Sequence, residues 1–376
     1  MRIAFIATEK LPVPAVRGGA IQIYIDGVTK IISKNHDVTV FSITDEQLPN
    51  KETKNRVSYI RYPEDQYLQG IQKGLKERNF DVVHLCNRPK WINEMKEVAP
   101  NTKFVLSVHN EMFTEEKISE EEGSICIDSV EKIVTVSDYI GSTISLRFPK
   151  AKGKISTVYS GVDLANYYSI WSPTGNKRRQ EVRKELGIVG RDVVLFVGRL
   201  SKVKGPHLLL QALPSIIEKH PKVMLVFIGS KWFGENQINN YVKHLYTLGA
   251  LHQENVTFIK FVEPSRIPIL YNMADIFVCS SQWQEPLARV HYEAMASGLP
   301  IITSNRGGNP EVIDQGKNGY IIDDFENPEE YAKHINSLLE KPATRERIGK
   351  NGRLFAEKQF GWSRVASDLL NVYQTI

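Results

Sequence analysis

The sequence is poor in cysteine and has no long apolar run. Its 376 residues include three cysteines, Cys86, Cys126 and Cys279, which lie far apart and lack the spacing of metal ligands. Two of them lie in or at the end of apolar runs, so we expect buried, reduced thiols in a reducing compartment. No apolar stretch approaches the roughly 18 residues that a membrane span requires, and the N-terminal residues show no signal-peptide pattern. A cytoplasmic protein is therefore expected.

The chain also has only a small excess of charge of one sign. The formal net charge of +5 at pH 7 is too small to indicate nucleic-acid binding. A basic cluster at 177–184 is interpreted as a solvated helix face in preference to a phosphate or membrane contact. An acidic stretch at 115–122 is expected to be a mobile surface segment. The apolar and charged fractions, 41% and 24%, are typical of a soluble globular protein.

Short apolar runs recur along the chain and alternate with helical patterns. They lie at 3–7, 38–43, 82–86, 104–108 and 133–136 in the first half and at 193–197, 223–228, 256–261, 276–279, 301–303 and 320–322 in the second. Such runs are typical of strands buried on both faces of a parallel sheet. The sequence after residue 163 lacks periodicity to about residue 175, which indicates a domain boundary. Two parallel α/β domains are therefore predicted, in keeping with the length of the chain.

Two glutamates lie eight residues apart in the segment SSQWQEPLARVHYEAMASGLP, at 280–300. Glu285 lies in a loop after a predicted strand, and Glu293 lies in the helix-forming sequence that follows. In open α/β sheets ligands collect at the carboxyl ends of strands. A carboxylate there accepts hydrogen bonds from hydroxyls, while free amides and the helix dipole attract phosphate. The pattern suits a ligand that carries both hydroxyls and phosphate. An ordinary strand–loop–helix unit with two solvated glutamates would show the same pattern.

A basic turn follows the first strand of the second half. In the sequence GRLSKVKGP, Gly198 precedes Arg199 and Lys204, and a helix is expected to begin at Pro206. Two cations beside a helix N-terminus form a plausible clamp for a diphosphate, the arginine through its planar fork and the lysine as a point charge. A basic surface turn without a ligand is the alternative.

The first half offers two weaker signals. The pair Gly18-Gly19 precedes a helix expected from about Ala20 to Ser33, and it either lets a phosphate approach the backbone or only makes a tight turn. His109 ends the fourth predicted strand, where an isolated histidine is more often structural than catalytic. The G-x-G-x-x-G pattern is missing here and no acidic residue ends the second strand, which disfavours a classical dinucleotide site.

Five motifs, in this order and spacing, match one enzyme family. They are Gly18-Gly19, YSGVD at 159–163, GRLSKVKG at 198–205, the Glu-x7-Glu pattern at 285–293, and GGNPEVI at 307–313 with Gly319. Through them the chain resembles, over essentially its whole length, the retaining glycosyltransferases of the GT-B class, namely glycosyltransferase family 4. More narrowly, it resembles the spore-coat-associated glycosyltransferases of bacilli.

The resemblance implies a GT-B fold, in which two Rossmann-like α/β/α domains face each other across a cleft. Residues 1–165 would form the acceptor domain, residues 166–358 the nucleotide-sugar domain, and residues 359–376 a helix that returns to the first domain. It also implies that a hexose is transferred with retention of configuration to a hydroxyl of a glycan, a lipid-linked acceptor or a protein. A UDP-linked sugar is the preferred donor, and no nucleic acid is expected as a partner.

The roles of individual residues follow from the same resemblance. Arg199 and Lys204 would neutralise the donor diphosphate, Glu285 would contact sugar hydroxyls, and His109 would lie beside the reacting sugar. Further donor contacts would come from Glu293, which holds the ribose, and from Gly18, Gly19, Gly198, Leu287, Ala288, Arg289 and Val290, with the base read near Phe261 and Val262. The chain departs from the family where Leu287-Ala288 replace a common Phe-Gly, where Gln22 replaces a common acidic residue, and at 229–234, where the usual close Gly-x-Gly is missing.

No cofactor is expected. The sequence lacks an Asp-x-Asp pair that would hold a divalent ion on a diphosphate, so we expect a reaction that needs no metal. Retention is expected through a leaving phosphate that deprotonates the acceptor on the same face, with a covalent intermediate on Glu285 as the alternative. A nucleotide-sugar epimerase and an inactive coat or scaffold protein are the rival functions. The expected location is the cytoplasm, with at most a peripheral contact with a membrane or the spore coat.

Overall fold

The computed structural model describes residues 1–229, 238–260 and 262–376. It divides into two compact units, one formed by Met1–Gly161 with Trp362–Ile376 and the other by Val162–Gly361. The limits predicted from the sequence are residues 165 and 358. Phe261 and most of the loop at 229–234 lie outside the described residues. Among the helices of the described ranges, none is long and apolar enough to cross a membrane.

The first unit is built on an eight-stranded sheet, counted over the described residues. Its strands are β1 (Arg2–Ile6), β2 (Asp37–Ile43), β3 (Lys51–Lys54), β4 (Val57–Tyr62), β5 (Val82–Cys86), β6 (Lys103–Val108), β7 (Lys132–Thr135) and β8 (Ile155–Thr157). Its first helices are α1 (Ala20–Ile32), α2 (Tyr67–Glu77), α3 (Ile92–Val98), α4 (Glu120–Ser129) and α5 (Asp138–Arg147). The strand order is β3-β4-β2-β1-β5-β6-β7-β8, and neighbours are parallel except for the antiparallel pair β3 and β4.

The second unit has a six-stranded parallel sheet within the described ranges, with the order β11-β10-β9-β12-β13-β14. Its strands are β9 (Asp192–Val197), β10 (Val223–Ile228), β11 (Val256–Ile259), β12 (Ile276–Cys279), β13 (Ile301–Ser304) and β14 (Gly319–Ile322). Its helices are α6 (Pro173–Glu185), α7 (Pro206–Lys219), α8 (Asn240–Ala250), α9 (Ile267–Tyr271), α10 (Val290–Ala296), α11 (Pro328–Glu340) and α12 (Pro342–Gln359). The two parallel α/β domains predicted from the apolar runs are confirmed.

The last helix, α13 (Trp362–Gln374), belongs to the first unit, as the predicted fold requires. Its apolar residues Val365, Leu369 and Tyr373 join a core that includes residues of β1 and α1. The indole of Trp362 fills the space over Gly27 of α1, where an added Cβ would lie 2.4 Å from the ring. A second core, on the opposite face of the sheet, packs α2 to α5 against the strands.

The acidic stretch at 115–122 is not wholly a mobile segment, because Ser119 caps α4 in a capping box with Glu122. The strands β3 and β4 were not anticipated. Lys51–Lys54 reads KETK and carries no apolar pattern, whereas Val57–Tyr62 reads VSYIRY, in which polar residues interrupt the apolar ones. All three cysteines are free and buried, as expected.

The basic cluster at 177–184 is not simply a solvated face. Arg179 and Arg183 of α6 turn inward and bind the carboxylate of Asp275 at 2.5 and 2.6 Å, directly before β12. Burial would raise the pKa of Asp275, yet the two guanidiniums lower it below its usual value. These arginines therefore fasten α6 to the start of β12, a role that the local sequence pattern does not reveal.

Candidate active site

Three loops meet at the carboxyl ends of the adjacent strands β9, β12 and β13 in the second unit. Two hydrogen bonds join the loop at 198–205 to the loop at 280–289. The hydroxyl of Ser280 donates to the Gly205 carbonyl at 2.9 Å, and the backbone N–H of Gln282 donates to the Val203 carbonyl at 2.8 Å. The turn after β13 reaches the same loop, because the Gly308 amide donates to the carbonyl of Glu285 at 2.8 Å. This is the edge of the sheet at which ligands of open α/β folds bind.

The loops bring together two of the predicted catalytic residues. The ammonium of Lys204 lies 2.5 Å from Oε2 of Glu285, with the two side chains 18% and 8% exposed. The same ammonium lies 5.4 Å from the centre of the Trp283 ring, within range of a cation–π contact. A cation and a carboxylate are therefore paired at the site where the sequence predicted one for phosphate and one for hydroxyls.

The carboxylate of Glu285 is held from one side. Besides Lys204, its Oε2 accepts hydrogen bonds from the hydroxyl of Ser281, 2.8 Å, and from the indole N–H of Trp283, 2.7 Å. Within the described residues, these donors all reach Oε2 and none reaches Oε1. Burial alone would raise the pKa of Glu285, but Lys204 and the two neutral donors lower it below its ordinary value. The carboxylate is therefore ionised at neutral pH, and no donor from the described residues occupies its Oε1.

Two glycines allow these loops to approach each other closely. Gly205 has φ 69°, and an added Cβ would lie 2.1 Å from the carbonyl oxygen of Ser280. Gly307 has φ 57°, and an added Cβ would lie 2.0 Å from the carbonyl oxygen of Glu285. A larger residue at either position would push the loops apart and disturb the Lys204–Glu285 pair.

The backbone of Ala288 is held at both its N–H and its carbonyl. Its N–H donates to Oδ1 of Asn309 at 3.1 Å, and its carbonyl lies 2.9 Å from Nδ1 of His291. Burial lowers the pKa of His291 to about 4, so the ring is neutral at pH 7. The proton must then be on Nδ1, which faces a carbonyl, and Nε2 accepts from the hydroxyl of Thr303 at 2.9 Å.

Ala288 replaces the glycine that is common in the family, and its backbone does not have a positive φ in the described structure. An alanine is therefore accommodated at this position without strain. Its amide, which was predicted to face the donor, is bound to Asn309 in this structure. Leu287 is buried beside it, Arg289 precedes α10, and Val290 is the first residue of that helix.

Glu293 follows Glu285 by eight residues and lies on α10. Its Oε2 accepts a hydrogen bond from the hydroxyl of the buried Tyr271 at 2.9 Å, and its Oε1 lies 3.8 Å from the guanidinium of Arg289. Arg199 and Gly198 directly follow β9 and are partly exposed, as is Val262. The predicted roles of these residues in ribose, phosphate and base binding stay predictions.

The first unit holds the remaining predicted residues. Gly18 and Gly19 have φ 81° and 95°, and a Cβ at Gly19 would lie 2.3 Å from Oε1 of Gln22. The amide of Gln22 donates to the Leu11 carbonyl at 3.1 Å, so this residue fastens the loop before α1. An acidic residue at position 22 could not donate that bond. A tight turn is therefore present, and its contact with phosphate stays a prediction.

His109 is buried directly after β6. Its backbone N–H donates to Oδ1 of Asn87 at 2.7 Å, and its ring Nε2 lies 3.0 Å from the hydroxyl of Ser107. The His109 and Tyr24 rings pack edge to face, with their centroids 4.8 Å apart. These contacts fix the position of the imidazole at the carboxyl end of the strand, where the sequence placed it.

Sequence reasoning did not single out four residues that shape the site, namely Ser281, Trp283, His291 and Asn309. His291 and Asn309 lie within recognised motifs, so their side chains could have been considered from the patterns alone. The other contacts join positions whose proximity depends on the loop conformation. Among the described residues, no cluster of three or more His, Cys, Asp or Glu side chains has the geometry of a metal site.

Solved glycosyltransferase structures share the architecture of the chain. HepE of Anabaena, in its complexes with UDP and with UDP-glucose, aligns with 100% of this chain and 100% of its own, at TM-scores of 0.80 and 0.79 and 21% identity. A glycosyltransferase of Rickettsia africae ESF-5 aligns with 100% of this chain and 98% of its own, at a TM-score of 0.81 and 18% identity. At these identities the comparison establishes the fold, which is that of the GT-B glycosyltransferases.

Sequence comparisons place the chain more narrowly. The family model described as Glycosyltransferase Family 4 matches residues 21–166, and the model described as Glycosyl transferases group 1 matches residues 178–355. Spore coat protein SA of Bacillus subtilis (strain 168) is 64% identical over 374 residues, which cover 100% of this chain and 99% of that protein. YtcC of the same organism, whose name assigns it provisionally to the glycosyltransferases, is 46% identical over 376 residues, with 100% and 92% covered. The chain therefore belongs to the group 1 glycosyltransferases of glycosyltransferase family 4, as the five motifs predicted, and it is an enzyme of that class.

Proposed function

We propose that this enzyme transfers a sugar from a UDP-linked donor to a hydroxyl acceptor, with retention of configuration and without a metal ion. The observation that carries the proposal is the contact of 2.5 Å between Lys204 and Glu285. It provides a cation for the leaving diphosphate next to a carboxylate for the sugar hydroxyls. Both groups lie at the carboxyl ends of neighbouring strands, where a nucleotide sugar is expected to bind.

The proposed chemistry uses fixed charges of the protein. Cleavage of the anomeric C–O bond builds negative charge on the diphosphate and positive charge on the sugar. Lys204, with Arg199 on the same loop, would stabilise the leaving group, and preorganised charge of this kind is often the largest contribution to catalysis. Two cations close to a diphosphate supply the neutralisation for which other enzymes use Mg²⁺, and this supports the proposed independence from metal.

The surroundings of Glu285 support a binding role over a nucleophilic one. Three donors converge on Oε2, and the pKa of the carboxylic acid lies below its usual value despite burial, which would by itself raise it. A carboxylate stabilised in this way is a weaker nucleophile and base than a free one. We therefore propose that Glu285 accepts a hydrogen bond from a sugar hydroxyl, and that the leaving phosphate deprotonates the acceptor on the same face of the sugar.

The comparisons support the choice of donor and of biological setting. Solved structures of HepE contain UDP or UDP-glucose, which favours a UDP-linked sugar here. The similarity to Spore coat protein SA favours a role in glycan synthesis for the spore coat or the cell surface. The acceptor is proposed to be a hydroxyl of a glycan, a lipid-linked sugar or a protein, and His109 and Gly19 of the first unit are proposed to contribute to the reaction.

The donor can be tested by thermal shift with UDP-, GDP- and ADP-glucose in parallel. We expect stabilisation by the UDP compound and by UDP itself, and a stronger response to a GDP- or ADP-sugar would contradict the proposed donor. Transfer should then be measured with an acceptor panel in the presence of EDTA, and the anomeric configuration of the product determined by NMR. Loss of transfer with EDTA would exclude the metal-free reaction, and inversion would exclude retention.

Incubation with the donor alone separates this function from its rivals. An epimerase would convert the nucleotide sugar without any acceptor, whereas a scaffold protein would bind the donor and neither transfer nor hydrolyse it. A transferase should form product only when an acceptor, or water in its place, takes the sugar.

A further inference from the structure

We infer that Trp283 is a positioning residue for Glu285. The indole N–H of Trp283 keeps Oε2 of the Glu285 carboxylate occupied, so that Oε1 meets a hydroxyl of the donor sugar. The inference rests on the proposed function and assigns a role to a side chain outside the family motifs. Its basis is the geometry of the carboxylate and of the three groups that donate to it.

The three donors of Oε2 are of two kinds. Lys204, at 2.5 Å, carries a charge, whereas Trp283 and Ser281, at 2.7 and 2.8 Å, are neutral. In the proposed reaction Lys204 serves the diphosphate, so its charge is shared with a second anion when the donor binds. The neutral donors have no such competitor, and they remain to hold Glu285 in place.

The need for neutral donors follows from the other groups that face the carboxylate. Among the described residues these are Lys204 after β9, Cys279 on β12 and His291 on α10. Burial raises the pKa of the Cys279 thiol and lowers that of His291 to about 4, so both are uncharged at pH 7. Lys204 is therefore the charged partner among them. Without Trp283 and Ser281, a carboxylate whose side chain is only 8% exposed would approach a diphosphate with little compensation.

Trp283 can be tested by a conservative change. Trp283→Phe removes the indole N–H and keeps an aromatic ring beside the ammonium of Lys204, which lies 5.4 Å from the present ring centre. The affinity for UDP should stay within about two-fold, because UDP has no transferred sugar. The affinity for UDP-glucose should fall by about ten-fold, which corresponds to one hydrogen bond to a charged group.

The pH profile provides a readout that a purely structural role would not change. Glu285 must be ionised to accept the hydroxyl, so activity is lost as the pH falls through its pKa. Removal of a donor raises that pKa, and the acid limb of kcat/KM in Trp283→Phe should therefore move to higher pH. Ser281→Ala removes the second neutral donor and should move the limb in the same direction.

Trp171→Phe is a matched control in the same unit. The indole N–H of Trp171 donates to the carbonyl of Gly298 at 2.8 Å, after the C-terminal end of α10. This variant also loses one indole hydrogen bond, but it should keep the acid limb and the ratio of UDP-glucose to UDP affinity of the unmodified enzyme. A loss common to both tryptophan variants would indicate a general effect on stability and would overturn the inference.

The outcomes separate this inference from the proposed function. Binding of UDP-glucose that equals wild type in Trp283→Phe, or an acid limb at the wild-type pH, overturns the role of Trp283 and leaves the transferase proposal standing. If the unmodified enzyme binds neither UDP nor UDP-glucose, both proposals fail together. If Trp283→Phe does not fold, the same two measurements are made on Trp283→Leu, which also removes the indole N–H.

Discussion

The ammonium of Lys204 lies 2.5 Å from a carboxylate oxygen of Glu285, although the two residues are 81 positions apart in the sequence. Both side chains are largely withdrawn from water, at 18% and 8% exposure. Removing one member of such a pair leaves the other as an uncompensated buried charge. The same contact therefore links the stability of the second unit to the chemistry proposed for it.

Lys204→Ala should lower both activity and stability. We expect kcat for sugar transfer to fall at least about 100-fold, because the leaving diphosphate loses a fixed cation. The free energy of unfolding should fall by roughly 3 kcal/mol, because Glu285 keeps only its neutral donors. Transfer assays at saturating donor and urea unfolding at pH 7 provide the two measurements.

Two further variants separate the effects of Lys204→Ala. Adding Glu285→Gln to it should restore much of the stability, since no buried charge remains, but it should not restore transfer. Lys317→Ala is the surface control, because Lys317 pairs with Asp314 at 2.7 Å while its side chain is 71% exposed, and it should lower stability by less than about 1 kcal/mol. Near-normal transfer by Lys204→Ala would refute the role of this residue on the diphosphate.

Asp275→Asn should destabilise the second unit by about 3–5 kcal/mol, because Arg179 and Arg183 lose their shared anion in a buried setting. The pKa of Asp275 is lower in the folded protein than in the unfolded chain, since the arginines outweigh the opposing effect of burial. Its contribution is therefore complete above the unfolded pKa of about 3.9 and is lost as the pH falls through the folded value. Urea midpoints measured from pH 6 to pH 3 provide the test.

The pH dependence identifies the cause of that destabilisation. The difference in unfolding free energy between wild type and Asp275→Asn should shrink toward acid pH, because the wild-type carboxylate is then protonated as well. Asp314→Asn changes an exposed carboxylate, 58% accessible in its pair with Lys317, and should leave the urea midpoint nearly unchanged. A difference between wild type and Asp275→Asn that stays constant down to pH 3 would argue for a packing effect instead.

Local sequence patterns predict much of this architecture. Continuous apolar runs such as 82–86 and 276–279 could be assigned to buried parallel strands because both faces of the sheets are covered. The ends of those strands then located the loops with Lys204 and Glu285. The hairpin strand β3 was missed because it is polar and exposed, so no apolar periodicity marks it.

The details of the site were less accessible from the sequence. The contact of Trp283 with Glu285 depends on the path of one loop, and the contact of Asn309 with Ala288 joins two loops after different strands. The inward turn of Arg179 and Arg183 depends on a partner about ninety positions away. Such pairs are fixed by tertiary structure, whereas composition and periodicity report only on the neighbourhood along the chain.

His291 is expected to affect donor binding through the peptide of Ala288. In His291→Asn the shorter amide can still donate to the Ala288 carbonyl, whereas in His291→Gln the longer amide reaches toward Thr303 and loses that contact. We therefore expect the donor KM to rise by less than about three-fold in the first variant and by about ten-fold in the second. Initial rates at varied donor concentration would distinguish them, and equal KM values would contradict the positioning of Ala288 by His291.

The titration of His291 gives a second prediction for the same variants. Burial holds the folded pKa at about 4, below the unfolded value of about 6.5. Stability from this residue is therefore complete above pH 6.5 and declines as the pH falls toward 4, by at most about 1.4 kcal/mol per pH unit. Neither Asn nor Gln titrates in this range, so both variants should show a flatter pH dependence of the unfolding free energy than wild type.

Gly205→Ala should disturb the site more than the same change at another glycine with a similar backbone conformation. Gly205 and Gly187 have φ of 69° and 67°, but an added Cβ at Gly205 would lie 2.1 Å from the Ser280 carbonyl, whereas at Gly187 it would meet open space. Both variants incur the left-handed strain of about 1 kcal/mol.

Only Gly205→Ala must also separate the loops that hold Lys204 and Glu285. We expect a total loss of at least about 3 kcal/mol for Gly205→Ala and about 1 kcal/mol for Gly187→Ala in urea unfolding. Transfer should fall at least about ten-fold in the first variant and stay normal in the second, because the Lys204–Glu285 distance depends on the close approach of the two loops. Equal activity in the two variants would show that the site tolerates a wider separation than the structure indicates.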